Sequence, residues 1–289
     1  MSSLLKLAFD ENQLNHVWRK LKNDSTDWNR EIVNQAFRKD FLLHILTLRR
    51  QVLEGSYRPS PLRQFALQRA DGGHRRISTH YLCDKLAQKA VMTVLEPLGE
   101  RIFHVNSYAY RPQRSVSMAV SKARELVMAG NPWIVGADID KCFDAIPHKK
   151  LKHCLAVHVA DKSLCALIAL WIDQYHHQKS LFSTPCGISQ GSVLSPFLCN
   201  LYLTSVDQYL ERKGIPFVRY ADNFLLATLD EKYAEKSLKV LKEALAPLQL
   251  TLNPSKTRVQ KCNKNYRFLG QRLPEFKAYS PMSYSKVGT

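Results

Sequence analysis

Two short stretches, Asp138-Ile139-Asp140-Lys141-Cys142-Phe143-Asp144 and Tyr220-Ala221-Asp222-Asn223, each set at the end of an apolar, β-prone run, constrain this 289-residue chain more than any other feature of it. The run from Trp133 to Ala137 leads into Asp138, and Phe217-Val218-Arg219-Tyr220 and Phe224-Leu225-Leu226-Ala227 flank Ala221-Asp222-Asn223. The second and third runs read as a hairpin with an aspartate at its tip, because two strand-like segments joined by a short turn fold back on each other. Asp138 and Asp222 lie far apart in the chain, so only tertiary pairing of the strands can join them. Two carboxylates that meet at a sheet edge can hold Mg²⁺, which takes octahedral oxygen ligation from one or two carboxylates, waters and phosphates. A pair of such ions ~3.5–4 Å apart can activate a hydroxyl and stabilise a leaving pyrophosphate. Taken singly, each aspartate reads first as an ordinary turn or strand-end residue.

The rest of the chain frames these strands. Residues 1–56 read as helical, and 62–78 as a hairpin turning at Asp71-Gly72-Gly73 and studded with Arg63, Arg69, Arg75 and Arg76. Helices are expected over 81–98, stopping at Pro97, and over 115–129, ending at Gly130-Asn131-Pro132. Others are expected over 147–157, 162–176, 193–212 and 231–246, with Ser195 capping the third of these and Pro196 in its first turn. Short strands close the chain near 257–260 and 266–269. This order predicts an α+β fold with helices on one face of the sheet.

Lys and Arg number 42 against 25 Asp and Glu, a formal charge of +17. Such an excess suits a polyanionic partner, because each neutralised phosphate releases counterions. Solubility through like charge is the competing account. Hydrophobic residues make up 45% and charged residues 23% of the chain, enough for a packed core in one large or two modest domains. The seven cysteines form no CxxC pair, which reads as reduced, mostly buried thiols rather than a zinc site. There is no run of ~18 apolar residues and no secretory pattern at the N-terminus, so the expectation is a cytoplasmic protein with no membrane partner.

Several motifs occur in a fixed order. Asp138-Ile139-x-x-x-Phe143-Asp144 is followed by Gln190-Gly191-Ser192-Val193-Leu194-Ser195-Pro196 and then Tyr220-Ala221-Asp222-Asn223. Arg75-Arg76 and Ser107-Tyr108-Ala109-Tyr110-Arg111-Pro112 precede them; Leu252-Asn253-Pro254-Ser255-Lys256-Thr257 and Phe268-Leu269-Gly270 follow. With these motifs the chain resembles prokaryotic reverse transcriptases, closest to the group II intron type and its CRISPR-associated relatives, over about residues 30–272.

The resemblance implies a right-hand polymerase: a helical extension at 1–60, fingers (with part of the palm) at 61–132, a palm at 133–272 whose antiparallel sheet is backed by helices, and a tail at 273–289, with the thumb absent or very short. It implies an RNA-directed DNA polymerase using two Mg²⁺ ions, with Mn²⁺ as a substitute. RNA template, a DNA or RNA primer and deoxynucleoside triphosphates would be its partners. Asp138 and Asp222 would hold the metals, with the Ile139 carbonyl assisting. Arg75, with Arg69, would grip the triphosphate, as the guanidinium fork suits phosphate oxygens. Phe143 would lie under the sugar and exclude a 2′-hydroxyl. Gln190 and Gly191 would sit beside the nucleotide, and Lys256 would donate a proton to pyrophosphate. Phe268, Leu269 and Gly270 would support the primer end, and Arg111 would contact template or nucleotide unless it is structural. Asp144 reads as structural.

Two departures from the family pattern matter. Asn223 stands where most relatives carry a second aspartate, which removes one negative charge from the metal site. Few residues follow Leu269-Gly270, where the family adds a helical thumb, so the expectation is that either the chain is a fragment of a longer protein, or a very short thumb or a protein partner supplying thumb or integrase function provides the clamp. The competing readings are a catalytically weakened nucleic-acid-binding module of a CRISPR or phage-defence system, and a template-independent nucleotidyltransferase.

Overall fold

The computed structural model describes residues 3–21, 32–68, 74–179 and 185–274. Four strands form the central sheet: β3 (Trp133–Asp138), β4 (Phe217–Tyr220), β5 (Asn223–Thr228) and β6 (Arg258–Lys261), in the order β4-β5-β3-β6 with every pairing antiparallel. β1 (Arg63–Gln68) and β2 (His74–Thr79) make a separate hairpin, and β7 (Arg267–Phe268) pairs with β8 (Gln271–Arg272) in another. The turn expected at Asp71-Gly72-Gly73 lies outside the described residues.

Eleven helices surround these strands among the described residues. α1 (Leu4–Ala8), α2 (Glu11–Leu21), α3 (Ile32–Lys39), α4 (Phe41–Leu53) and α5 (Leu82–Ile102) come first. α6 (Val116–Met128), α7 (Cys142–Ala145), α8 (His148–His158), α9 (Lys162–Lys179), α10 (Ser195–Arg212) and α11 (Glu231–Leu245) complete the set. Four helix starts among the described residues carry a polar cap: Asp10 accepts from the Asn12 N–H at 3.0 Å, the Ser115 hydroxyl from the Met118 N–H at 3.2 Å, Asp161 from the Leu164 N–H at 3.0 Å, and Asp230 from the Tyr233 N–H at 2.8 Å.

Strand residues alternate between two apolar layers, as a period of two requires. Val135, Ala137, Phe217, Phe224 and Leu226 join a core with α10 and α11, while Ile134, Val218, Leu225 and Ala227 pack with Ala119, Val120, Ala123 and Val127 of α6. The sheet is therefore covered on both faces, and the expectation of helices on one face is corrected. The reason is visible in β5: Phe224-Leu225-Leu226-Ala227 is an unbroken apolar run, the pattern of a strand buried on both sides. At Gly136, in the middle of β3, the Tyr266 hydroxyl lies 2.7 Å from where a Cβ would stand, so only glycine admits the phenol against the strand.

Two further expectations change. α5 does not stop at Pro97 but runs to Ile102. A mid-helix proline costs one hydrogen bond, and here the helix continues because its later turn is packed: a Cβ at Gly99 would stand 2.7 Å from both the Phe103 and Phe197 rings. Ser195 is not the cap of α10. Leu194 holds that position, and the Ser192 hydroxyl accepts from the Leu194 N–H at 3.3 Å, leaving Ser195 and Pro196 inside the first turn.

The N-terminal helices share the main core rather than forming a separate body. Phe9, Leu14, Leu21 and Leu48 pack in the same cluster as Leu86 and Val91 of α5. Asp161, at the start of α9, accepts from the Ser3 hydroxyl at 2.5 Å and the Leu5 N–H at 3.0 Å. Tyr57 donates to Asp84 and accepts from the Trp171 indole at 3.2 Å, which links the segment after α4 to α5 and α9. Burial and the neighbouring Asp84 push the Tyr57 hydroxyl pKa far up, so it stays a donor. None of the seven cysteines is in a disulfide. No helix among the described residues is long and apolar enough to cross a membrane.

Candidate active site

The central sheet brings the two sequence-distant aspartates together at one end. Asp138 pairs in register with Asn223, and one residue further on the Ile139 N–H donates to the Asp222 carbonyl at 3.2 Å. The main chains of Asp138, Asp222 and Asn223 thus lie about one strand spacing (~5 Å) apart. The Asp138 side chain is 10% exposed, and Asp222 is half-buried at the tip. No group of three or more His, Cys, Asp or Glu with metal-holding geometry occurs among the described residues. The potential oxygen donors at this end of the sheet are the Asp138 and Asp222 carboxylates and the Asn223 amide. Such a set fits a hard cation that keeps waters and takes phosphate oxygens, and it does not fit zinc.

Lys256 approaches the same carboxylate, with Nζ 3.1 Å from Asp138 Oδ1 and a side chain that is 61% exposed. Its loop is tied to Asp138 itself, because the Asn253 N–H donates to the Asp138 carbonyl at 2.8 Å. Asn253 Oδ1 then accepts from the Ser255 N–H at 3.0 Å, shaping the turn that delivers the lysine.

The Asp222 tip is a strained turn with a buried anchor. Ala221 has φ of 58°, a left-handed conformation that costs a side-chain-bearing residue on the order of 1–3 kcal/mol. Arg219, fully buried in β4, donates to the Ala221 carbonyl at 3.0 Å and to Asn200 Oδ1 at 2.8 Å. It also grips Asp207 through two bonds of 2.7 and 2.5 Å. Burial alone would lower the Arg219 pKa; the Asp207 carboxylate outweighs it and holds the guanidinium above its ordinary value. The Arg219 backbone is clamped by Asn106 and Tyr108, and Asn200 reaches the Ala109 carbonyl at 2.8 Å. The Ser107–Pro112 motif therefore buttresses the turn from behind. Beneath it, Cys142 and Cys199 sulfurs stand 3.8 Å apart; the Cys199 contact first, then burial and the field of Asp222, push the Cys142 thiol pKa up.

On the other side of Asp138, Lys141 adopts φ of 44° and leads into α7, which carries half-buried Phe143. Residues 185–188 run antiparallel against 143–148. The Ile188 N–H donates to the Phe143 carbonyl at 2.7 Å, the Gly187 N–H to Ile146 at 2.8 Å, and the His148 N–H to Pro185 at 3.0 Å. Gln190 Nε2 donates to Asp144 Oδ2 at 3.3 Å, and the Tyr175 hydroxyl to Asp144 Oδ1 at 2.9 Å. Gly191 has φ of 115°, and a Cβ there would stand 2.3 Å from the Ser78 carbonyl oxygen. That close approach accompanies a 2.8 Å bond from the Ser78 N–H to the Gln190 carbonyl, which docks this segment on β2. Arg75 lies on β2 opposite Leu67. Its side chain, and Arg69 altogether, lie outside the described residues.

Other expected site residues are placed differently. The Arg111 side chain is 2% exposed and fully engaged, by Glu100 through two 2.9 Å bonds and by the carbonyls of His104 and Ser107 at 2.7 Å each. Of its two expected readings the structural one holds, and direct contact with template or nucleotide is corrected. Phe268 is a core residue, packed in the α6 layer; Leu269 and Gly270, both at positive φ, form the turn between β7 and β8. The residues not foreseen are Arg219, Asp207 and Asn200. Their signal was in the chain: an arginine inside an apolar strand needs a partner, and Asn200 and Asp207, seven apart on α10, share a helix face.

The family model for reverse transcriptase (RNA-dependent DNA polymerase) matches residues 67–273. The chain belongs to the reverse transcriptase family. Protein YkfC of Escherichia coli K12 is 27% identical over 266 residues, covering 78% of this chain and 70% of YkfC. The group II intron-encoded protein LtrA of Lactococcus lactis subsp. cremoris is 31% identical over 172 residues, 57% of this chain but only 28% of LtrA. Among solved structures, a partial Cas6-RT-Cas1–Cas2 complex superposes with a TM-score of 0.50 at 22% identity, over 85% of this chain and 43% of that chain. That likeness is one of fold.

Proposed function

We propose that this protein is an RNA-directed DNA polymerase that extends a primer with deoxynucleotides. The observation that carries this reading is the convergence of Asp138 and Asp222 at one end of the sheet, with Asn223 paired opposite Asp138. On this reading residues 61–132 are fingers with part of the palm, 133–272 are palm, 1–60 are a helical extension and 273–289 a tail. Two Mg²⁺ ions, or Mn²⁺ in their place, would be held by Asp138 and Asp222 with the Ile139 carbonyl. When bound they would supply charge neutralisation at the primer hydroxyl and the phosphates.

The chain's own residues do the remaining work. Arg75, with Arg69, binds the triphosphate from the hairpin docked against Gln190-Gly191. Phe143 excludes a ribose 2′-hydroxyl, and Gln190 orients the nucleotide. Lys256, mostly exposed yet within 3.1 Å of Asp138, is placed to move between that carboxylate and pyrophosphate, to which it gives a proton. Leu269 and Gly270 present a turn to the primer, supported by Phe268 beneath. Asn223 offers an amide oxygen without charge. Positioning and electrostatic preorganisation account for the rate, as in other phosphoryl transfers. A protein partner that supplies thumb or integrase function, and a role in retroelement, CRISPR or antiviral defence biology, belong to this proposal as well.

The test is primer extension on matched RNA and DNA templates with deoxy- or ribonucleotides, using Asp222→Ala as control. Template-dependent incorporation of deoxynucleotides that Asp222→Ala abolishes is the expected result. Asn223 favours one second reading, a nucleic-acid-binding module with a weakened metal site; binding without extension would establish it. Extension without template would establish a template-independent transferase instead.

A further inference from the structure

We infer that the cavity at the far end of the sheet from Asp138 and Asp222 is a docking site for an acidic, apolar-anchored segment of another protein. The cavity has a volume of about 690 Å³ and lies between α11 and the 213–216 connection that leads into β4. Thr228, which lines it, closes β5 opposite Trp133, whereas Asn223 opens β5 opposite Asp138. The two ends are ~17 Å apart along the strand, so an occupant here leaves the carboxylate end open. The lining divides by chemistry. Ile215 and Val240, half-buried and packed on the main core, form an apolar floor with Pro216 and Ala227. Leu229 and Tyr233, 66% and 55% exposed, stand at its mouth. Large apolar side chains left exposed together beside a concave surface mark interaction sites. Lys213, Lys236 and Lys239 complete the lining against one acid, Glu243.

The charge of the lining selects the occupant. Lys236 and Lys239 have no ion-pair partner among the described residues. Lys213 Nζ faces the Tyr209 ring, 5.3 Å from its centroid, rather than a carboxylate. A second copy of this chain would bring a formal charge of +17 and be repelled. Residues 275–289 offer Glu275 against Lys277 and Lys286, again the wrong sign. The occupant is therefore anionic and comes from outside the chain. Between the two anionic classes the lining favours a peptide over a nucleic acid. Among the described residues no arginine lines the cavity, although the guanidinium fork is the group suited to phosphate oxygens. A phosphate backbone, charged at every step, has nothing to set on the apolar floor. A peptide can seat an aliphatic or aromatic side chain there and hold carboxylates over the lysines. Along α11 the cavity runs from Tyr233 to Glu243, ~15 Å at the helical rise. That length takes about four or five residues of extended peptide.

The experiment selects short random peptides, displayed on phage, against the immobilised full chain. The Kd of each enriched peptide is then measured by fluorescence anisotropy on the wild type and on variants. The expected result is enrichment of sequences in which Asp or Glu flank an aliphatic or aromatic residue. Lys236→Glu/Lys239→Glu should weaken these peptides at least about 10-fold, and the neutral Lys236→Gln/Lys239→Gln by a smaller factor. Leu229→Ser/Tyr233→Ala should weaken them about 10-fold through loss of the apolar anchor. All four side chains are exposed, so the variants should fold, which melting temperature checks. Added salt should weaken binding as well, since the charged rim is open to solvent. No enrichment, enriched peptides without acidic residues, or Kd values that these variants leave unmoved would overturn the inference. So would lysine variants that lower the affinity of a short single-stranded RNA and not that of the peptides, which would make this face a nucleic-acid surface. None of these readouts requires primer extension, so the polymerase reading stands or falls separately.

Discussion

Asp207 offers the sharpest test of how the Asp222 turn is held. Its carboxylate is fully buried and carries two of the bonds to Arg219, whose guanidinium is also fully buried. Asp207→Ala would strand that guanidinium with only Asn200 and the Ala221 carbonyl as partners. Leaving one member of a buried pair uncompensated costs about 3–5 kcal/mol, a large share of the roughly 5–15 kcal/mol that stabilises a typical domain. Urea unfolding should show this loss as a lower midpoint with an unchanged slope. Replacing both partners, as Asp207→Leu with Arg219→Met, removes the stranded charge. What remains are the Asn200 oxygen and the Ala221 carbonyl left without their donor, about 1–3 kcal/mol each, so the double variant should be at least as stable as the single one, which strands a full charge. Activity should not recover in parallel. The double variant has also lost the charged donor on the Ala221 carbonyl, a bond worth about 1.5–3 kcal/mol. Primer extension should fall at least about 10-fold if that bond holds Asp222 in its working position. A double variant that extends at the wild-type rate would refute the role assigned to Arg219. So would an Asp207→Ala protein within about 1 kcal/mol of wild type.

Other substitutions probe separate links. Gly191→Ala places a Cβ 2.3 Å from the Ser78 oxygen at φ of 115°, so the Gln190 segment must leave β2; stability should drop by about 2 kcal/mol and nucleotide KM rise about 10-fold or more, and wild-type values of both would contradict the docking described. Asn223→Asp adds a carboxylate opposite Asp138 and should lower the Mg²⁺ concentration for half-maximal extension several-fold, with activity kept or raised; abolished activity would mean the position is misread. His80 is 3% exposed with neither ring nitrogen partnered, and burial, helped by Lys85, lowers its pKa from 6.5 to about 4. The unfolded chain therefore binds a proton that the folded chain refuses between those values, so stability should fall as pH drops through that window, by about 3 kcal/mol in all. His80→Phe should flatten that part of the pH–stability curve measured by urea unfolding, and an unaltered slope would assign it to another group.

What the chain announces and what it hides follow from the range of the interactions. The hairpin at Asp222 and the strand before Asp138 were legible because an apolar run bounded by polar residues has few alternatives to a buried strand. Their pairing, Asp138 opposite Asn223, is the kind of contact that motif order implies and local pattern cannot supply. Pro97 misled because local propensity weighs a lost hydrogen bond without seeing the Phe103 and Phe197 rings packed against Gly99. The second helical layer was missed because α6 looks, in sequence, like any amphipathic helix; nothing local says which sheet face it covers. Arg111 carried an ambiguity that only Glu100 and two backbone carbonyls resolve. The Asp144–Gln190 contact joins residues 46 apart, and no periodicity encodes it.

β3 is flanked by a neighbour along each edge and by a packed layer above and below. Such a strand has no cheap local opening, so its amides should exchange with solvent only when the whole molecule unfolds. The two-stranded β1–β2 ribbon, by contrast, can fray without disturbing the sheet. The carboxylate of Asp138 thus ends a strand that opens only with the whole fold.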